Sequence, residues 1–426
     1  MERFKEKWSK RVSAARAVIT ASGRVLARVP DVFKRRRRED ETALAWTTER
    51  LFCEGDEYFD ALLGEIGEAQ SAIAFETYIF CDDEIGARVV SALIAAAARG
   101  VEVRLLVDGV GSSPWIRSRG PDLARAGVQL RVYHPPPWTI LPHGWPGFAS
   151  LMRAFSFFRH LNRRNHRKMC LIDRRAAWVG SLNVDRRHLR SLAAEEAWRD
   201  VGARVEGAGL ATLEKAFDRD WRHSWRLSDE FLRPTFILHS RRLRVPGGHL
   251  VRLNHGIRMR KRFNRDLLNR VASGQRRVWI TSAYFIPNRS LLYSLTLASL
   301  TGADVRLMVP AKSDVLFMPW IGRAFYHRLA RAGVRVFEYQ PRMLHAKTVL
   351  VDGWLSVGST NLNNRSLIHD LEVEVVLTHP ESHKSYEEMF ERDLADSREV
   401  DAQEWANRPI WERQLGRIGL LVKYFL

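Results

Sequence analysis

His166-Arg167-Lys168-Met169-Cys170-Leu171-Ile172-Asp173 is followed shortly by Gly180-Ser181-Leu182-Asn183. The same pattern returns as His345-Ala346-Lys347-Thr348-Val349-Leu350-Val351-Asp352, followed by Gly358-Ser359-Thr360-Asn361. Both copies read His-x-Lys, four residues, Asp, then Gly-Ser-x-Asn. Side chains alternate faces along a strand, so His166 and Lys168 point the same way, as do His345 and Lys347. The residues after each Lys are mostly apolar and β-prone, which predicts a buried strand over 169–172 and 348–351. A second strand follows a tight turn at Asp173 and Asp352. His and Lys on the rim of a buried strand are costly without an anionic or hydrogen-bonding partner. Each copy thus offers an imidazole, an ammonium, a hydroxyl and an amide, and two copies facing one another predict a phosphate pocket made of two half-sites. A metal centre is not expected, because the set is half cationic and ammonium is not a usual ligand.

The repeat extends outward from the motif. Leu123-Ala124-Arg125-Ala126-Gly127-Val128 recurs verbatim at 329–334, an offset of 206. Gly100-Val101-Glu102-Val103-Arg104-Leu105 recurs in outline at 302–307, an offset of 202, whereas the motif histidines are offset by only 179. The first half therefore carries about 27 additional residues, around His134 to His160. Each half otherwise reads strand, helix (87–99; 291–300), strand, helix, strand and motif hairpin, an α/β pattern. The expected division is a basic N-terminal segment (1–45), a first domain (46–225, insertion 134–160), a second domain (226–398) and an amphipathic C-terminal tail (399–426).

The chain has 426 residues and a formal charge of +19. Thirteen Lys or Arg against three acids fall in the first 38 residues, which implies an anionic partner. Phe4, Trp8, Val12, Ala15 and Ile19 recur at spacings of three and four among those cations, the pattern of a basic amphipathic helix. On an anionic membrane each such cation contributes about 1 kcal/mol. Cys53, Cys81 and Cys170 have no paired spacing and predict no disulfide framework; Cys170 reads as a small apolar filler. No uninterrupted apolar run is long enough to span a bilayer, and no signal peptide is expected. A lipid-handling protein of this kind would lie on a membrane. Asp108-Gly109-Val110-Gly111-Ser112 lacks a full dinucleotide fingerprint and reads as a strand-ending turn.

The doubled motif resembles the phospholipase D superfamily. Flanking blocks are similar to bacterial cardiolipin synthases: Leu51-Phe52 with Gly55-Asp56, Glu76-Thr77-Tyr78-Ile79-Phe80, Trp198-Arg199-Asp200, Ala283-Tyr284-Phe285-Ile286-Pro287 and Ser313-Asp314. The resemblance covers roughly residues 48–380. One departure is Asp370, where the resemblance leads to Asn.

The resemblance implies two pseudo-symmetric domains, each a mixed sheet flanked by helices, with the active site at their interface. It implies phosphatidyl transfer from one phospholipid, such as phosphatidylglycerol, to the headgroup hydroxyl of another through a phosphohistidine. His166 is taken as nucleophile and His345 as acid/base. Lys168, Lys347, Asn183 and Asn361 would bind phosphate oxygens, helped by Ser181 and Ser359. Asp200 would orient His166, and Glu372 would orient His345. Asp173 and Asp352 complete the motif, as turn residues more than as acids. No cofactor, metal or nucleic acid is expected, and the place of action is the surface of a bacterial cytoplasmic membrane. Trp138, Trp145, Phe148 and Arg153 of the insertion are the expected lipid contacts. A phospholipase D hydrolase, or a nuclease or phosphodiesterase of the superfamily, would use the same site. A membrane-binding protein with a relic site would have lost motif residues, and both sets here are complete.

Overall fold

The computed structural model describes residues 45–136, 163–227, 232–233, 249–315 and 318–401. The basic segment, most of the insertion with Trp138, Trp145, Phe148 and Arg153, and nearly all of the C-terminal tail lie outside them.

The first half runs β1 (Trp46–Phe52), α1 (Gly55–Glu68), β2 (Ala72–Thr77), α2 (Glu84–Ala98), β3 (Glu102–Asp108), α3 (Ser113–Arg125), β4 (Gln129–Tyr133), β5 (Met169–Ile172), β6 (Ala176–Gly180), β7 (Gly202–Gly207), α4 (Leu210–Arg222), β8 (Trp225–Leu227) and β9 (Leu232–Arg233). The second runs β10 (Val251–Leu253), α5 (Gly256–Ala272), β11 (Arg277–Thr281), α6 (Arg289–Leu300), β12 (Asp304–Pro310), two short helices, β13 (Arg335–Tyr339), β14 (Thr348–Val351), β15 (Trp354–Gly358), β16 (Val373–Leu377), α7 (Pro380–Ala395) and β17 (Ser397–Glu399). The sheet orders are β1-β7-β6-β5-β2-β3-β4-β8-β9 and β10-β16-β15-β14-β11-β12-β13-β17. The first eight positions match strand for strand, which is the duplication read from the sequence, and β9 is an addition to the first sheet.

In each sheet three strands are parallel, joined by helical crossovers, and the motif hairpin adds antiparallel strands beside them. A parallel neighbour requires such a crossover. In α2, Ile85, Val89, Leu93 and Ala96 recur at helical spacing and are buried, and Asp83 caps the helix by accepting from Gly86 N. Burial of each Val, Leu or Ile side chain on that face contributes about 1.5–3 kcal/mol. The motif strands β5 and β14 are buried at every position, as their apolar runs predict. The expected domain boundary at 225 falls short. β8 pairs with β4, and β9 with β8, so the first sheet continues through Arg233.

Each half has its own core, and a third apolar cluster joins them. Ala177, Val179, Ala203 and Val205 of β6 and β7 pack in one cluster with Leu355, Val357, Val373 and Val375 of β15 and β16. Trp46 Nε1 donates to Val376 O at 2.8 Å across the same boundary.

Candidate active site

Backbone pairing across the boundary builds the site. His166 N donates to Leu371 O (3.0 Å), and His345 N donates to Arg199 O (2.8 Å). Asn165 bridges Leu371, and Arg199 bridges Leu344. Each segment entering a motif strand is therefore tied to the other half, one residue before that half's buried carboxylate. The orienting contacts are consequently crossed. His166 Nδ1 lies 3.1 and 3.2 Å from the Glu372 carboxylate oxygens, and His345 Nδ1 lies 2.8 Å from Asp200 Oδ1. The sequence reading had the right carboxylates on the wrong histidines. A carboxylate only accepts, so each Nδ1 carries a proton and each Nε2 is left for chemistry.

Lys168 Nζ donates to His166 O at 2.8 Å, and Lys347 Nζ to His345 O. Ammonium and imidazole of one half are thereby held together. Ser181 and Ser359, expected on phosphate, are instead fully buried under the carboxylates. Ser181 Oγ donates to Asp200 Oδ1 at 2.5 Å, and Ser359 Oγ donates to Glu372 Oε2. The glycines before them permit this approach: a Cβ on Gly358 would meet Val373 O at 2.2 Å, and one on Gly180 would meet Val201 O at 2.7 Å. Asn183 Oδ1 accepts from Ile79 N at 3.2 Å. Asn361 is buried, and its Oδ1 has no hydrogen-bond partner among the described residues. Asp173 and Asp352 sit at the far end of their strands. Both take a left-handed φ of 52°, and each accepts backbone N–H groups, at 70–72 and 275–277 respectively. They fix the hairpins and do not reach the pocket.

His188 was not anticipated. Asn183 N donates to its Nε2 at 3.1 Å, so its Nδ1 carries the proton that faces Asp200 Oδ2 at 2.6 Å. Asp200 thus receives His188, His345 and Ser181 together. Although His188, Asp200 and His345 cluster closely enough to suggest a metal site, the nitrogens that meet Asp200 are protonated donors and the other His188 nitrogen is taken.

Burial dominates the electrostatics. It pushes His345 down to about 3 and His166 well below its usual range, the neighbouring lysines adding to both shifts. Burial also pushes Lys168 down to about 7 and Lys347 to about 8. The two carboxylates diverge. Burial raises Glu372 to about 7, whereas the paired imidazoles overcome burial and hold Asp200 well below the carboxylate range. The imidazoles and lysines form a desolvated cationic cluster that a phosphodiester anion would complete.

The walls differ by half. Tyr78 lies edge-on to His166, ring centroids 5.0 Å apart, and Lys168 Nζ stands 5.3 Å from the same ring. Trp198 lies 4.9 Å from His345, with the Arg187 guanidinium 4.2 Å over its outer face. Asp370, the departure from the resemblance, accepts from Arg164 N (3.1 Å) and Arg365 Nε (3.2 Å). Beneath, Arg164 is buried against Asp108, with contacts of 2.9–3.2 Å, and its NH2 donates to His134 O at 2.9 Å. This ties His134, where the insertion begins, to Arg164, which follows it and stands two residues before His166.

Comparison with known proteins points the same way. A family model described as "Cardiolipin synthase, PLD-like domain" matches residues 62–221 and 267–394. Cardiolipin synthase A of Pectobacterium carotovorum is 34% identical over 373 residues, covering 85% of this chain and 72% of that protein. A cardiolipin synthase of Clostridium perfringens is 31% identical over 381 residues, covering 87% and 74%. The crystal structure of phosphatidylserine synthase from Haemophilus influenzae Rd KW20 superposes with a TM-score of 0.64 at 14% identity, covering 90% of this chain and 97% of that one. At that identity the likeness speaks to the fold alone.

Proposed function

Because the chain belongs to the cardiolipin synthase family of phospholipase D-like proteins, we propose that it is a phosphatidyltransferase that joins two phospholipids, with phosphatidylglycerol as a substrate and cardiolipin as product. The observation that carries the reading is the crossed site. Two imidazoles, each held at Nδ1 by the opposite half's carboxylate, keep Nε2 for chemistry in one buried cationic cluster, with Lys347 acting on both.

The mechanism that these groups support has two displacements. His166 Nε2 attacks phosphorus while the bond to the leaving headgroup breaks, and His345, which enters this step as the imidazolium with ionised Asp200 and the bound phosphodiester as its counter-charges, gives its Nε2 proton to the departing alkoxide. His345 then takes the proton of the acceptor hydroxyl, whose oxygen attacks phosphorus as the phosphorus–nitrogen bond breaks. His345 is a cation before the first displacement and again after the second, and Asp200, ionised and shared with His188, is the stronger support for one. That favours His345 as acid/base and His166 as nucleophile. Lys168 and Lys347 neutralise the equatorial oxygens, Asn183 and Asn361 donate to them through Nδ2, and developing charge at so dry a site is strongly stabilised by such fixed groups.

The enzyme works from the surface of an anionic membrane in this reading. The basic amphipathic start and the aromatic insertion support it, and the stem of that insertion is fixed next to His166 by Arg164. No helix among the described residues is long and apolar enough to cross a membrane.

Labelled phosphatidylglycerol, with and without phosphatidylethanolamine, tests the proposal by mass spectrometry of the lipid products. Cardiolipin is expected, with release of the small alcohol. Phosphatidic acid as sole product would make the protein a hydrolase. Acid quench during turnover should trap labelled phosphatidyl on His166; label on a serine would overturn the covalent step.

A further inference from the structure

Joining two phospholipids places two phosphodiesters one glycerol apart. Lys168, Lys347, Asn183 and Asn361 serve the phosphorus under attack. The other phosphate belongs to the acceptor and needs its own cation at the rim. Two arginines occupy one repeat position there. Arg187 and Arg365 are separated by 178 residues, the same offset that relates Asn183 to Asn361. Both are partly exposed and each is held by a carboxylate, Arg187 by Asp185 and Arg365 by Asp370.

The acceptor hydroxyl must arrive on the side of the acid/base, His345. Arg187 is on that side, stacked on the Trp198 ring that flanks His345. Arg365 is on the other, among the cations that lower His166.

The two sides also differ in polarity. Ala72 N and Arg277 N both donate to their motif Asp, which aligns β2 with β11. Seven residues on, the first half has Ile79 and the second Tyr284. The registers Ala72↔Glu102 and Arg277↔Asp304 align β3 with β12. Ten residues on, the first half has Ser112 and the second Asp314. Ser112 is buried and used up locally: it donates to Tyr78 O and accepts from Phe80 N. Asp314 is exposed, takes the Tyr284 hydroxyl on Oδ1 at 2.6 Å, and makes no hydrogen bond through Oδ2 among the described residues.

We propose that Arg187, Tyr284 and Asp314 form the subsite for the accepting lipid's headgroup. Arg187 takes its phosphodiester, and Asp314, positioned by Tyr284, accepts from its glycerol hydroxyls. The subsite rests on the phosphatidyltransfer reading above. Arg187 lies within electrostatic reach of both Asp314 and Tyr284, and a cation and a carboxylate so placed recognise a phosphorylated polyol and together place one hydroxyl at His345.

The test compares acceptors in the full-length protein: phosphatidylglycerol, free glycerol, which lacks the phosphate, and ethanol, which lacks the second hydroxyl. Arg187→Ala should raise KM for phosphatidylglycerol at least tenfold and lower the ratio of transfer to phosphatidylglycerol over glycerol by a similar factor. Asp314→Asn, an isosteric change on an exposed residue, should lower the ratio of glycerol over ethanol at least fivefold. Arg365→Ala should leave both ratios within twofold. Unchanged ratios in both Arg187→Ala and Asp314→Asn overturn the subsite, as does a shift caused by Arg365→Ala instead. If the wild-type protein hydrolyses donor and transfers to no alcohol, the parent reading fails. The subsite is then judged by inhibition of that hydrolysis by glycerophosphoglycerol, which Arg187→Ala must weaken tenfold. Thermal melting of each variant separates loss of fold from loss of recognition.

Discussion

His345 Nδ1 and Asp200 Oδ1 are 2.8 Å apart, although 145 residues and the boundary between two sheets separate them. Together with its mirror contact between His166 and Glu372, this makes each half of the molecule the supporting shell of the other's imidazole. The crossing is measurable. Imidazole nitrogen resonances in the labelled protein should show Nδ1–H of His345 moving in Asp200→Asn and that of His166 moving in Glu372→Gln. The opposite pattern would place the carboxylates on their own half's histidines.

Either histidine is indispensable. His166→Ala and His345→Ala should each lower turnover on the order of 10³-fold or more, because nucleophile and acid act as a unit. The double variant should be little worse than either single one. Activity above one tenth of wild type in either single variant rules out the two-half-site mechanism.

Anion binding should weaken as pH rises. Burial holds Lys168 at about 7 and Lys347 at about 8, so both are charged below the lower value and neutral above the higher. Sulfate, whose charge is constant in this range, should raise the melting temperature more at pH 6.5 than at pH 9 (about half a unit below and about one unit above the lysine window). Lys168→Met should diminish the effect. In the ligand-free protein the sign is opposite. The unfolded chain binds more protons than the folded one between the depressed values and the ordinary lysine value near 10.4, so these lysines make stability rise with pH across that window. A sulfate effect independent of pH would detach the lysines from the anion site.

Asp108→Ala should be strongly destabilising. It strands the buried Arg164 guanidinium and removes the acceptor of Asn165 N, and breaking one partner of such a pair costs about 3–5 kcal/mol. Urea unfolding should show that loss, and Arg164→Met in the same chain should recover part of it. A change under 1 kcal/mol would mean the pair does not anchor the insertion's stem.

Asp200 and Glu372 rested on the family resemblance, whereas the duplication, the order of elements along each half and the identity of the histidines and lysines were legible because a repeat marks them twice. The crossing was not, because spacing shows which residues share a strand and says nothing of which sheet edge a neighbouring strand meets. The serines misled for a related reason: a hydroxyl after a buried strand suits phosphate and carboxylate equally, and only the glycine-permitted approach of β7 and β16 decides. His188 left no repeat signal, since Ser366 stands at the corresponding position. Arg187 and Arg365 did leave one, four residues beyond the paired asparagines, and went unread because salt-bridged arginines are common. The boundary at 225 failed because β8 and β9 are too short to carry a strand pattern.

The bridge between Asn165 and Leu371 joins an early part of the chain to a late one. During synthesis His166 is made 206 residues before Glu372. Until then the His166 imidazole lacks both the carboxylate that holds its tautomer and the second imidazole, His345. The crossed contacts thus act as a coincidence detector for completion, since both imidazoles are held only when the last sheet docks.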